Sequence, residues 1–180
     1  PGEEADGWAY SEEGIKASVD FAAEHGNRRV GGLVITSPDN PTGRSLSMER
    51  QITLAKCALD QGIPYVIFDW IYHQVTDGQP ADINKVLNAF SPEERDRLIF
   101  LDGLTKSLGA SNVRNAHIVA GKKVIDFVVS RASHGITPNF LPISGSERGV
   151  SCLARYMAIC RGRATARLRR AEVMSAIRMA

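Results

Sequence analysis

VGGLVITSPDNPTG, residues 30–43, is the stretch whose reading decides the fold. Its first half, 30–36, is short, apolar and partly β-branched, which reads as a buried strand. Its second half, Ser37-Pro38-Asp39-Asn40-Pro41-Thr42-Gly43, places two prolines and a glycine around an asparagine. Those residues fix a tight turn. Asn40 is therefore presented on a stiff loop just past a strand end. Taken alone, this is a well-made turn and no more.

Working outward, the same unit recurs. Residues 45–61 carry apolar side chains at Met48, Ile52, Ala55 and Leu59, a helical stripe, and Gly62 follows where a helix-ending glycine belongs. PYVIFD, 64–69, is a second buried strand. Residues 81–89 and 92–97 are helical or turn-like, with Ser91 suited to cap the second of them. RLIFLD, 97–102, is a third strand, and AHIVA, 116–120, a fourth. Residues 121–131 begin a helix, and 149–179 are mostly helical. Strand alternating with helix is the α/β signature: it predicts a mainly parallel sheet with flanking helices on both faces. In such sheets ligands sit beyond the carboxyl ends of the strands. Those ends fall just after Thr36, at Asp69, and just after Asp102.

All three places hold unusual residues. Asp69 closes a buried strand, where a carboxylate is costly unless something cationic or donating meets it. Its plain alternative is a cap on the segment that follows. Tyr72 stands three residues on. After the third strand comes Gly103-Leu104-Thr105-Lys106-Ser107-Leu108-Gly109, a lysine in a turn of mostly small residues. A lysine amine can form a Schiff base with an aldehyde, although an isolated lysine is usually a surface residue. Arg114, eight residues later, carries a guanidinium able to clamp a phosphate through paired hydrogen bonds.

In this order, the segments resemble the fold-type I pyridoxal-phosphate (PLP) enzymes, specifically the class I/II aminotransferases. That family has an Asn-Pro-x-Gly turn, here Asn40-Pro41-Thr42-Gly43. It has an Asp-x-x-Tyr element, here Asp69-Trp70-Ile71-Tyr72. Its lysine precedes an arginine by eight residues, as Lys106 precedes Arg114. The resemblance runs from about residue 30 to 120 and implies the following roles. Lys106 holds the aldehyde of pyridoxal 5'-phosphate and, once freed, is the catalytic base. Asp69 keeps the pyridine nitrogen protonated. Asn40 and Tyr72 bond the ring oxygen. Thr105 and Arg114 bind the phosphate. The implied reaction is transamination between an amino acid and a 2-oxo acid. A C–S or cyclising lyase, or a non-catalytic PLP-sensing regulator domain, uses the same core. The resemblance also implies a homodimer in the cytoplasm.

The family places a phosphate-binding Ser or Thr two residues before its lysine, where this chain has Leu104, preceded by Gly103, so that Thr105 stands without the usual pair; and it places glycine where this chain has Ala116. The family's earlier glycine-rich phosphate cradle and stacking aromatic have no counterpart before residue 30; Trp8 and Tyr10 lie in a polar stretch. Residues 1–145 read as a partial PLP-binding large domain, and 146–180 as a helical segment leading toward a small domain not in the sequence. Thr137-Pro138-Asn139 falls where relatives approach the partner subunit's cofactor.

Composition sets limits on other readings. The 180 residues are 43% hydrophobic and 23% charged with net charge +2, ordinary for a globular protein and no argument for nucleic acid. Residues 151–180 hold seven arginines against Glu172, net +6, which leaves −4 elsewhere. Such a run reads as a solvated face. Cys57, Cys152 and Cys160 show no paired spacing, which suggests reduced thiols. No apolar run approaches the roughly 20 residues of a membrane span. His25, His117 and His134 lack ligand spacing, so no metal site is expected. His73 reads as a surface residue and Trp70 as packing.

Overall fold

The structure is a computed structural model, and it describes residues 9–26, 28–75, 80–103, 106 and 116–132. The helical segment expected at 146–180, with Cys152 and Cys160, lies outside the described residues, as do Thr137-Pro138-Asn139.

Four strands form one sheet in the order β1 (Leu33–Thr36), β2 (Val66–Asp69), β3 (Leu98–Gly103), β4 (Ala116–Ala120). β1, β2 and β3 run parallel, and β4 pairs antiparallel with β3. Two of the three pairings are parallel, as the alternation implied. The strands start later than the apolar runs suggest, because Gly31 and Gly32 carry no side chain to pack and Pro64 lacks a backbone donor for the ladder.

Helix α1 (Glu12–Glu24) was not anticipated. Its signal is local: Ser11 caps it by accepting from the Gly14 N–H at 3.0 Å, and Glu12 and Glu13 occupy its first turn. Helix α2 (Met48–Asp60) is capped by Ser47 and stops where Gly62 takes φ +78°. Its buried residues are Gln51, Leu54, Ala55, Ala58 and Leu59, and Met48 and Ile52 only flank that stripe. The inner face is thus turned from the one the apolar pattern marked, and it includes a glutamine. Helices α3 (Ile83–Leu87) and α4 (Pro92–Arg95) are short. α4 has a capping box: the Ser91 hydroxyl accepts from the Glu94 N–H, and the Glu94 carboxylate accepts from the Ser91 N–H at 2.7 Å. That bond holds the Glu94 carboxyl below its ordinary pKa. Helix α5 (Lys122–Ala132) follows β4 through Gly121. A Cβ at Gly121 would stand 2.7 Å from the Asp96 carboxylate and 3.0 Å from the Asp96 Cα, so this close crossing requires glycine.

The sheet is covered unevenly. Ile35, Val66, Phe68, Leu98 and Phe100 alternate onto the face that meets Leu54, Ala55, Ala58, Val86 and Phe90 of the helical side. On the other face, among the described residues, Val34 is 48% exposed and Ile67, Ile99 and Leu101 are half-buried. Coverage of both faces was expected; α1, α2 and α3 supply residues to the core on this one. The strand order gives the reason. β1 to β2 to β3 steps the same way twice, and successive right-handed crossovers in one direction stack their helices on one side. Reversal of that direction brings a second layer, and alternation of elements alone does not fix direction.

Phe68 is the centre of the core, fully buried and stacked on Phe100 at 5.0 Å between centroids, with Trp70 at 5.6 Å. Phe68→Ala is expected to destabilise the full-length protein by about 3–5 kcal/mol, read from denaturant midpoints.

Candidate cofactor-binding site

The site is built at one edge of the sheet. The parallel register aligns Thr36, Asp69 and Leu101 as neighbours across β1, β2 and β3. The backbone carries this alignment one step further, since the Ser37 N–H donates to the Asp69 carbonyl at 3.2 Å and the Trp70 N–H to the Leu101 carbonyl at 2.9 Å. The three segments singled out in the sequence leave the sheet at this level.

Asn40 sits in a loop tied shut at its base. The Ser37 hydroxyl is 4% exposed; it accepts from the Leu46 N–H at 2.9 Å and donates to the Leu46 carbonyl at 3.5 Å. Inside that closure the Gly43 N–H donates to the Asp39 carbonyl, the Asp39 N–H to the Arg44 carbonyl, and the Thr42 hydroxyl to the Asp39 carboxylate at 2.6 Å. Gly43 has φ +71°, a left-handed value suited to glycine. The peptide bonds before Pro38 and Pro41 are cis. Asn40 is exposed, and its amide has no partner among the described residues.

Asp69 is half-buried. Its Oδ1 accepts from the Ile71 N–H at 3.2 Å, which is the capping role weighed for it from sequence. Its other oxygen has no partner among the described residues. A carboxylate held by one oxygen with the second free is the acceptor that a protonated ring nitrogen needs. The turn through Trp70 and Ile71 then brings up Tyr72. Lys106 is exposed, and its Nζ lies 5.6 Å from the centre of the Tyr72 ring. That is within cation–π range, about 6 Å. The amine and the phenol, 34 positions apart in the chain, are thus brought together. The register of β3 and β4 places Ala116 opposite Gly103, so the segment holding Lys106 departs from and returns to the same edge. Thr105 and Arg114 lie outside the described residues.

Two features were not read from the sequence as they stand here. His73 is not a surface residue: its side chain is 10% exposed, its Nε2 is 3.0 Å from the Asp102 carboxylate, and its Nδ1 accepts from the Ala81 N–H at 3.0 Å. An accepting Nδ1 leaves the proton on Nε2, so the ring donates to Asp102. His117 approaches the same carboxylate at 3.9 Å. Tyr10, set aside as part of a polar stretch, reaches the end of β1, where its hydroxyl accepts from the Thr36 N–H at 3.4 Å. Neither pairing leaves a spacing signal, because the partners are 29 and 26 residues apart. The described residues contain no group of histidines, cysteines or carboxylates able to hold a metal ion, and no helix long and apolar enough to cross a membrane.

The family profile for "Aminotransferase class I and II" matches residues 3–147. The chain belongs to this family. Aspartate aminotransferase of Geobacillus stearothermophilus is 27% identical over 131 residues, 73% of this chain and 30% of that protein. 1-Aminocyclopropane-1-carboxylate synthase 6 of Arabidopsis thaliana is 27% identical over 135 residues, 73% of this chain and 27% of that protein. The class I/II chain therefore spans less than a third of the length of these relatives. Among solved structures, an aromatic aminotransferase from Pyrococcus horikoshii aligns with a TM-score of 0.66 at 18% identity, over 88% of this chain and 41% of its own. A PLP-bound C–S lyase from Staphylococcus hominis aligns at 0.58 and 18%, over 75% and 31%. At these identities the structures establish the fold, a PLP-dependent transferase type of sheet and helices in partial form.

The tether at the base of the asparagine loop has a measurable weight. Ser37→Ala would leave the half-buried Leu46 N–H without its partner and is expected to destabilise the full-length protein by about 0.5–1.5 kcal/mol, checked by thermal or denaturant unfolding.

Proposed function

We propose that the protein of which this chain is part is a PLP-dependent aminotransferase acting on an amino acid and a 2-oxo acid, with Lys106 as its cofactor-holding residue. The observation that carries the reading is the placement of the Lys106 amine over Tyr72, at the edge where Asp69 ends β2 and the Asn40 loop leaves β1. Pyridoxal phosphate supplies an electron sink next to the substrate's amino group. The chain's own residues have separate tasks. Lys106 would hold the aldehyde of the cofactor through its amine, and with a substrate bound its free Nζ would accept the proton from the substrate's Cα. The free oxygen of Asp69 accepts from the ring N–H and keeps it protonated. The Asn40 amide and the Tyr72 phenol donate to the ring oxygen. Thr105 and Arg114 bind the phosphate, a role supported by the lysine-to-arginine spacing. In net terms the donor amino acid leaves as its 2-oxo acid, and the acceptor 2-oxo acid leaves as an amino acid. A cytoplasmic homodimer is part of the same proposal, supported by the family resemblance.

A second reading is a lyase of the same family. It is favoured by the equal 27% identity to the Arabidopsis synthase and to the Geobacillus aminotransferase. Product analysis separates the two: a transferred amine and a 2-oxo acid for the first, a released leaving group or a cyclised product for the second.

The residue assignment is tested by incubating the full-length protein with pyridoxal phosphate, reducing with borohydride and mapping the pyridoxyl label by mass spectrometry. The label is expected on Lys106, and a label on any other lysine overturns the assignment. Lys106→Ala is expected to lower the transamination rate by about 10²–10⁴-fold, the range for loss of a positioned proton-transfer group.

A further inference from the structure

We propose that Gln51 is a positioning residue that fixes the Asn40 loop against the strand end carrying Asp69 and Tyr72, through the hydrogen bond its amide accepts from the Trp70 indole. The proposal rests on the cofactor reading above and concerns a residue that touches neither cofactor nor substrate.

Gln51 occupies the middle of the buried stripe of α2, beside Leu54 and Ala55, and is 2% exposed. An apolar side chain fits such a position without any need of partners. A buried amide costs free energy unless each end is bonded. Both ends of Gln51 are bonded, and to different parts of the site. Its Nε2 donates to the Leu46 carbonyl at 3.0 Å, with the Met48 sulfur also at 3.9 Å. Leu46 is the residue that the Ser37 hydroxyl clamps to close the Asn40 loop. Its Oε1 accepts from Trp70 Nε1 at 2.9 Å, a fully buried bond between residues 19 apart. Trp70 directly follows Asp69 and is pinned through its own N–H to Leu101.

The indole has little freedom to move away. It is 4% exposed and packs on Phe68 and Phe100, at 5.6 and 5.1 Å between centroids. The His73 ring lies 6.2 Å from it between centroids, with His73 bonded to Asp102 near the end of β3. Gln51 is therefore the one side chain, among the described residues, bonded both to the base of the Asn40 loop and to the end of β2. Hydrophobic contacts in this layer tolerate sliding, whereas a hydrogen bond of 2.9 Å does not. The amide sets one separation between the ring-oxygen donor on Asn40 and the ring-nitrogen acceptor on Asp69.

The test uses the full-length protein loaded with pyridoxal phosphate. Gln51→Met keeps the side chain's length and removes the amide. Trp70→Phe keeps an aromatic ring and removes the N–H. Exposed Thr53→Ala, on the outer side of α2, is the control. Two quantities are read: cofactor affinity, and the pH midpoint of the bound cofactor's visible absorption, which depends on the donors to its ring oxygen. Loss of one buried hydrogen bond predicts an affinity weaker by about three- to tenfold in each single variant, with a moved midpoint. The double variant is expected to be no weaker than the worse single, because both remove the same bond. Wild-type affinity and midpoint in both single variants overturn the proposal, as do strictly additive losses. So does a lower melting temperature with the midpoint unmoved, which marks a merely structural role. If Gln51→Met fails to fold, Trp70→Phe decides alone. A wild-type protein that takes no label at Lys106 sinks the cofactor reading instead, so the two failures are distinguishable.

Discussion

Everything in the site depends on three strand ends being level. The bonds from the Ser37 N–H to the Asp69 carbonyl and from the Trp70 N–H to the Leu101 carbonyl continue the parallel ladder to its last rung. Neighbouring strands then stand about 4.8 Å apart at that rung. Asn40 and Lys106 lie a few residues past it and Asp69 lies on it, so their relative placement follows from the register rather than from contacts among themselves. A slip of one residue in β2 would send Asp69 into the layer now filled by Phe68 and turn Phe68 outward. The cost of that exchange, a buried carboxylate and an exposed aromatic, is what holds the register.

The alternation of side chains divides the labour at this edge. Thr36, Asp69 and Leu101 share one side of the sheet. The next residues along, Ser37, Trp70 and Asp102, turn toward the helices and are engaged there with Leu46, Gln51 and His73. Polar atoms lie on both sides of the rung, but with different partners. On the helical side they are satisfied inside the protein and hold the backbone. On the other side, the second Asp69 oxygen has no partner among the described residues and is available to a ligand. A site that must both keep its shape and leave donors and acceptors vacant needs such a separation, because a vacant polar group inside the packed layer would be destabilising.

The sequence made the strand ends legible because each is marked locally. The prolines and Gly43 mark the first, the lone acid after Val66-Ile67-Phe68 the second, and a lysine among small residues the third. The buried strands themselves are apolar runs bounded by turn residues, which needs no knowledge of neighbours. What escaped was long-range. The pairing of His73 with Asp102 joins residues 29 apart, and a histidine beside a turn carries no sign of its partner. Gln51 was hidden differently. The apolar set Met48, Ile52, Ala55 and Leu59 made a plausible stripe, and a neighbouring one through Leu54, Ala55 and Ala58 was the buried face. Its one polar member is the clue, since a glutamine in such a stripe must be bonded at both ends. That α2 and α3 share one face of the sheet was also beyond periodicity, because it follows from the direction in which the strands are wound.

The level strand ends also link ligand binding to folding. Asn40, Asp69 and Lys106 are separated by 29 and 37 positions of chain, and they share an edge only when β1, β2 and β3 are all in register. A molecule that needs all three recognises the assembled sheet and has no partner of comparable affinity in the open chain. Binding then draws the equilibrium toward the folded form by mass action, by about 2.7 kcal/mol at a hundred times the dissociation constant. That is a sizeable share of the 5–15 kcal/mol that typically separates a folded domain from its unfolded chain. For a sheet with one face sparsely covered among the described residues, a ligand bound at that edge would act as a structural strut across three strands as well as a reagent.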